Sequence, residues 1–252
     1  MEAILSVKGL CKTYVTKSNS NTVLDHVDLT VGAGEFVAVM GPSGSGKSTL
    51  LYTVSGMDKP TSGDVVFSGK NMSGMGAKAL NRMRLTEMGF IFQQMYMMKK
   101  LSILDNILLP GFQANNDRAA VRSRADELMK RLGITETARS EITEVSGGQL
   151  QRACLCRALI NSPKIIFADE PTGALNSKAA GDVMRELVAA NRGGTACLMV
   201  THSERVAAQS DRVIYLVDGG IRGELVLGKI GSEDEISARE KQLRGWLGGL
   251  GW

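Results

Sequence analysis

Gly41-Pro42-Ser43-Gly44-Ser45-Gly46-Lys47-Ser48-Thr49 matches the phosphate-binding pattern G-x-x-x-x-G-K-[ST] at every fixed position. Its flanks match too. Glu35-Phe36-Val37-Ala38-Val39-Met40 reads as a short buried strand, and Ser48-Thr49-Leu50-Leu51-Tyr52-Thr53-Val54 as the first turns of a helix. Glycines let successive backbone N–H groups point inward around phosphate oxygens. The helix start adds unpaired donors and a partial positive charge. Lys47 is expected to reach the β- and γ-phosphates, and the Ser48 hydroxyl to bind Mg²⁺. A chance glycine turn is the alternative, but strand, loop, lysine, hydroxyl and helix all agree.

The chain has 252 residues, enough for one large α/β domain with room for a subdomain. A net charge of +4 gives little support for nucleic-acid binding. Cys11, Cys154, Cys156 and Cys197 form no C-x-x-C pair and read as reduced thiols in a core. The start, Met1-Glu2-Ala3-Ile4-Leu5, shows no signal-peptide pattern, and no apolar run is long enough to span a bilayer. If the chain works at a membrane, another molecule must hold it there.

Outside the loop, residues 3–8 and 22–31 read as strands, with Lys17-Ser18-Asn19-Ser20-Asn21 as a polar turn between them. Tyr14, just before that turn, is either a base-stacking aromatic or an edge tyrosine. Asp64–Phe67 and Gly89–Gln93 are further strands. From Gln94 to about Asn161 the pattern turns helical, with candidates over Leu104–Leu109 and Asp117–Leu132, the second stopped by Gly133. Strand–helix alternation then returns. Ile165–Ala168, Thr195–Thr201 and Val213–Val217 are strands, and Ala179–Asn191 is a helix. Such units imply a largely parallel, covered sheet.

Two more segments carry chemistry. Ile165-Ile166-Phe167-Ala168 ends in Asp169 and Glu170. In phosphate-loop enzymes an Asp here helps hold Mg²⁺. Glu170 would lie close to the γ-phosphate, placed to orient or deprotonate water; two solvated acids are the alternative. In Val145-Ser146-Gly147-Gly148-Gln149-Leu150-Gln151-Arg152, Ser146 can cap a helix whose glycines expose N–H groups, making a second anion site. A chain with one phosphate loop and a separate anion site must bind two anions or complete a site on another copy.

With these segments in place, essentially the whole chain resembles the ATP-binding-cassette (ABC) ATPases, whose signature is L-S-G-G-Q; Val145 replaces the Leu. The resemblance implies an α/β phosphate-loop core with a mostly parallel sheet, an antiparallel N-terminal β subdomain and a helical subdomain. It divides a single 1–252 cassette into core (1–93 and 162–231), helical subdomain (94–161) and C-terminal helical tail (232–252). By resemblance Tyr14 stacks on adenine and Gln93 links the Mg²⁺ site to the helical subdomain. Ser48, Gln93 and Asp169 hold the metal, and Lys47, Glu170 and the switch histidine His202 serve hydrolysis. ATP contacts Gly41 through Thr49 on one copy and Ser146, Gly147, Gly148 and Gln149 on a second, head-to-tail copy. Asn176, in Gly173-Ala174-Leu175-Asn176, stands where the family usually has Asp. It keeps hydrogen-bonding ability and loses the charge.

Within the family the resemblance is to the group of MacB-type macrolide exporters, LolD-type lipoprotein-release ATPases and Bce-type peptide-antibiotic efflux and sensing ATPases. Asn176-Ser177-Lys178 and the ending Gly251-Trp252 favour the Bce-type branch. This implies a separate integral-membrane permease and a place on the cytoplasmic face of the membrane. Met95, Met97 and Met98 around Tyr96 suit either a groove for a permease helix or ordinary packing. Ile236, Leu243, Leu247 and Leu250, with Trp246 and Trp252, suit packing on the chain's own domain over a dimer or membrane contact. Cassette proteins acting on ribosomes or DNA are the rival class. Their second cassette, coiled-coil or zinc insertions are not seen here. A phosphate-loop kinase would have no use for Ser146-Gly147-Gly148-Gln149.

Overall fold

The computed structural model describes residues 2–16 and 19–252. Lys17 and Ser18 of the expected polar turn lie outside the described residues, as does Met1. The strands around that turn are longer than the alternation suggested. β1 is Ala3–Val15 and β2 is Ser20–Gly32, so Ser20 and Asn21 belong to a strand. The outer end of β1 breaks the pattern with a buried Lys12 and an exposed Tyr14 and Val15, and that of β2 begins with the exposed polar Ser20, Asn21 and Thr22, which hid both from a hydrophobic alternation. β1 pairs antiparallel with β2 and with β4 (Ser62–Phe67), and β4 pairs with the short β5 (Lys70–Asn71), giving the order β2-β1-β4-β5.

The second sheet has six strands in the order β10-β9-β3-β8-β7-β6. β3 is Phe36–Met40, β6 Met88–Ile91, β7 Ile165–Asp169, β8 Ala196–Val200 and β9 Arg212–Val217. These five run parallel to one another. β10 (Gly220–Val226), not expected from the sequence, adds antiparallel at the edge. β3, β7 and β8 are fully buried runs because both faces of the sheet are covered. Val37 and Val39 face a core shared with the first sheet, while Phe36, Ala38 and Met40 face a core shared with the helices. That period-2 split makes three packed layers from one apolar strand.

Eight α-helices complete the described chain. α1 is Lys47–Val54, α2 Ala77–Glu87, α3 Ile103–Ala114, α4 Arg118–Arg131, α5 Gly147–Leu159, α6 Ser177–Arg192, α7 Glu204–Ala207 and α8 Ile236–Gly248. α4 follows the expected periodicity: Val121, Ala125, Leu128 and Met129 are buried, and the Asp117 side chain accepts from the Ala120 N–H at 2.9 Å. α3 runs five residues past the expected Leu109, through Pro110. α2 was not expected; only Met83 is buried on it, so it carries almost no apolar period. α8 packs on the chain's own domain through Ile236, Leu243 and Leu247, whereas Leu250 lies beyond the helix and is exposed. Trp246 and Trp252 both meet the Tyr215 ring edge-on, at centroid distances of 6.4 and 5.8 Å. Of the four cysteines only Cys11 reaches the surface. Burial pushes the Cys154 thiol up to about 11 and Cys156 to about 12, so both stay protonated. Among the described residues no helix is long and apolar enough to cross a membrane.

Candidate functional site

The phosphate loop connects the C-terminal end of β3 to α1, the place where parallel sheets gather ligands. Two of its glycines, Gly41 and Gly46, are required by space. A Cβ on Gly41 would lie 2.0 Å from the Leu216 carbonyl oxygen. Gly46 is the N-cap of α1 at φ +97°, and a Cβ there would meet the Val23 oxygen at 2.8 Å. No side chain caps α1, so its first amides are left for another acceptor. The Ser45 hydroxyl is buried without a hydrogen-bond partner. Lys47 Nζ donates to the carbonyls of Gly41 and Pro42 at 2.8 Å each. Burial pulls its ammonium below the ordinary value, against the opposing charges of Glu170 and Asp169. Open amides, a buried hydroxyl and a lysine fit a polyphosphate.

β7 runs parallel to β8 and delivers its acids beside that loop. Ser48 Oγ donates to Asp169 Oδ1 at 3.0 Å, and the Tyr52 hydroxyl donates to Asp169 Oδ2 at 2.7 Å. Hard oxygen donors at Ser48 and Asp169 fit Mg²⁺. Burial, then the Asp169 hydrogen bond, hold the Tyr52 phenol well above its ordinary value, so it stays a donor. Glu170 takes a left-handed backbone at φ +47°. Such conformations cost about 1–3 kcal/mol and persist where the surroundings over-determine them. The Glu170 N–H is held by the Val200 carbonyl at 3.0 Å. Its Oε1 lies 2.9 Å from His202 Nδ1, and its Oε2 is buried without a partner. A carboxylate with one oxygen oriented by a histidine and the other free suits orienting water.

Lys47, Ser48, Asp169, Glu170 and His202 are thus brought together. Tyr14 is exposed on β1, with its hydroxyl on Asp58 Oδ2 at 2.7 Å and the Lys12 ammonium 4.7 Å from its ring centroid. Asp58 follows α1, its N–H bonded to the Tyr52 carbonyl, so Tyr14 is tied to the end of the phosphate-loop helix. Gln93 is exposed two residues past the end of β6. Ser146 caps α5 in a full capping box: its Oγ accepts from the Gln149 N–H, and the Gln149 side chain accepts from the Ser146 N–H at 2.9 Å. Gln149 Oε1 is therefore engaged in holding the helix start. Asn176 caps α6 through the Ala179 N–H at 2.9 Å. An Asp would do the same, so the departure leaves the local fold intact.

Two residues carry no motif and escaped the sequence reading. Tyr52 is one; its spacing of four from Ser48 on a helix was the available signal. Arg157 on α5 is the other. It donates to the carbonyls of Met95 and Tyr96 at 2.8 Å each, tying the segment after Gln93 to the helix that begins at Ser146. Beside it opens a cavity of about 800 Å³ walled by Phe90, Phe92, Met98 and Leu109 and edged by Lys78, Arg82, Arg84 and Arg157. Of the three methionines near Tyr96, only Met98 lines it; Met97 packs toward the core.

The family model described as "ABC transporter" matches residues 24–173. The chain is 38% identical over 222 residues to the lipoprotein-releasing system ATP-binding protein LolD of Syntrophotalea carbinolica, covering 88% of this chain and 98% of that one. It is 43% identical over 221 residues to the macrolide export ATP-binding/permease protein MacB of Escherichia coli, covering 88% of this chain but 34% of that protein. The chain therefore spans about a third of MacB. Among solved structures, the dimeric ATP-binding cassette MJ0796 bound to ADP and Pi superimposes with a TM-score of 0.83 at 36% identity, covering 90% of this chain and all of that one. The chain belongs to the ABC transporter family: it is an ATP-binding, ATP-hydrolysing cassette related to MacB and LolD.

Proposed function

We propose that this ABC ATPase drives a separate integral-membrane permease, with peptide-antibiotic efflux or sensing of the Bce type as its task. The observation that carries the permease reading is the cavity beside Arg157. It is apolar in its walls, cationic at its edge, and joined to the segment after Gln93. An amphipathic helix of a permease on the cytoplasmic face of the membrane fits it. The Bce-type task rests on Asn176-Ser177-Lys178 and Gly251-Trp252. The identities with MacB and LolD favour a second reading, macrolide-type export or lipoprotein release.

In this reading two copies face head to tail, as MJ0796 is described as dimeric. Loop amides from Gly41 to Thr49 and Lys47 bind the phosphates of ATP on one copy. Ser146, Gly147, Gly148 and Gln149 of the other close over them, and Tyr14 takes the adenine. Ser48, Asp169 and Gln93 hold Mg²⁺, which supplies charge neutralisation at the phosphates. Glu170 orients and deprotonates the attacking water, and His202 keeps Glu170 aimed. Most of the gain is positioning and charge stabilisation. The 94–161 segment acts as a helical subdomain that carries the signature helix toward the partner copy, and 232–252 as a tail on the core.

The test is affinity purification of Glu170→Gln with ATP from detergent-solubilised membranes, read by mass spectrometry. A stoichiometric multi-span permease is expected, and its external domain separates peptide sensing from lipoprotein release. Recovery of ribosomal or DNA-associated proteins without a membrane protein overturns the reading.

A further inference from the structure

We infer that Tyr52 is a positioning residue for Asp169, fixing that carboxylate with its phenol and linking it, through Phe92, to the wall of the groove beside Arg157. The inference rests on reading Ser48 and Asp169 as the Mg²⁺ ligands. α1 places Ser48 and Tyr52 one turn apart on the same face. Each donates to a different oxygen of Asp169, which is 4% exposed. Two donors from one helix therefore set the plane of the carboxylate. Ser48 is itself a candidate ligand, whereas Tyr52 bonds the oxygen turned away from Ser48. Outer hydrogen bonds of that kind hold metal-binding carboxylates in register.

The same side chain points to the groove. The Tyr52 ring meets Phe92 at a centroid distance of 6.3 Å. Phe92 stacks on Phe90 at 5.9 Å, and both line the cavity. One aromatic contact thus separates the wall of the cavity from the residue that holds Asp169. This route does not pass through Gln93.

The test uses the whole chain with ADP and Mn²⁺ as the probe, read by electron paramagnetic resonance, with nucleotide affinity measured separately in EDTA. Tyr52→Phe removes only the hydroxyl. It is expected to weaken Mn²⁺ binding by about tenfold or more, the range for losing an outer partner, and to leave the affinity in EDTA unchanged. Phe92→Leu is expected to weaken Mn²⁺ binding less, in the same direction. Wild-type Mn²⁺ affinity in Tyr52→Phe, with binding lost in Asp169→Asn, overturns the role of Tyr52 and spares the metal reading. Unchanged binding in both variants overturns the metal reading itself. Equal losses with and without metal in Tyr52→Phe mark a purely structural residue and overturn the inference. Unchanged Mn²⁺ binding in Phe92→Leu overturns the link to the groove.

Discussion

The starts of α1 and α5 are both candidate anion sites, yet they are built in opposite ways. α1 begins at a glycine and has no side-chain cap, so its amides are unsatisfied from within. α5 begins at Ser146 in a closed capping box, so the Gln149 N–H is already served, while those of Gly147 and Gly148 stay open. An open helix start gains from a phosphate without giving anything up. A closed one trades an internal bond for an external one and gains less. The difference suits a loop that binds nucleotide alone and a signature that contributes only when a second copy presents it.

The largest expected effect tests where chemistry sits. Glu170→Gln should lower ATP turnover by about 10²–10⁴, the range for a general base, while nucleotide binding survives. Near-normal turnover in a steady-state phosphate-release assay sinks the assignment and detaches catalysis from the α1 side. Next, Lys47→Ala removes a charged donor, so nucleotide affinity of the isolated chain should fall by about 1.5–3 kcal/mol, roughly 10- to 150-fold. Ser146→Ala in the same titration should leave affinity unchanged. Equal losses in both variants break the contrast between open and closed starts. Ser146→Ala should instead lose about 1 kcal/mol of stability with its cap, measured by urea denaturation.

The last expectation concerns acid. Glu35 and Asp58 both have depressed carboxyls, and both lie in the part that carries α1. For Glu35, burial pushes up, but hydrogen bonds from Arg212 and the Gly32 N–H and the nearby positive charges prevail. For Asp58, burial is likewise outweighed, by Lys12 and Tyr14. A carboxyl held below its unfolded value stabilises the fold at neutral pH, and the benefit is lost as pH falls through the folded value. Amide exchange should therefore rise in β1, β2 and β9 before α3, α4 and α5 once the pH falls below the ordinary carboxylate range. The reverse order refutes this account.

What the sequence disclosed follows the same division. The phosphate loop, the acids at the end of β7 and the Ser146 cap were legible because each needs particular residue types at fixed spacing. The fully apolar β3, β7 and β8 were legible because both their faces are buried. α2 and β10 were not, since surface elements with few buried residues leave no period to read. Tyr52 and Arg157 were hidden for another reason. Their partners, Asp169 and the carbonyls of Met95 and Tyr96, are 117, 62 and 61 residues away in sequence.

The two tryptophans of the chain, Trp246 and Trp252, both stand against Tyr215, and Trp252 shares a surface hollow with Pro42 of the phosphate loop. All intrinsic indole emission thus originates at one flank of the nucleotide site. The unlabelled protein carries its own optical reporter there.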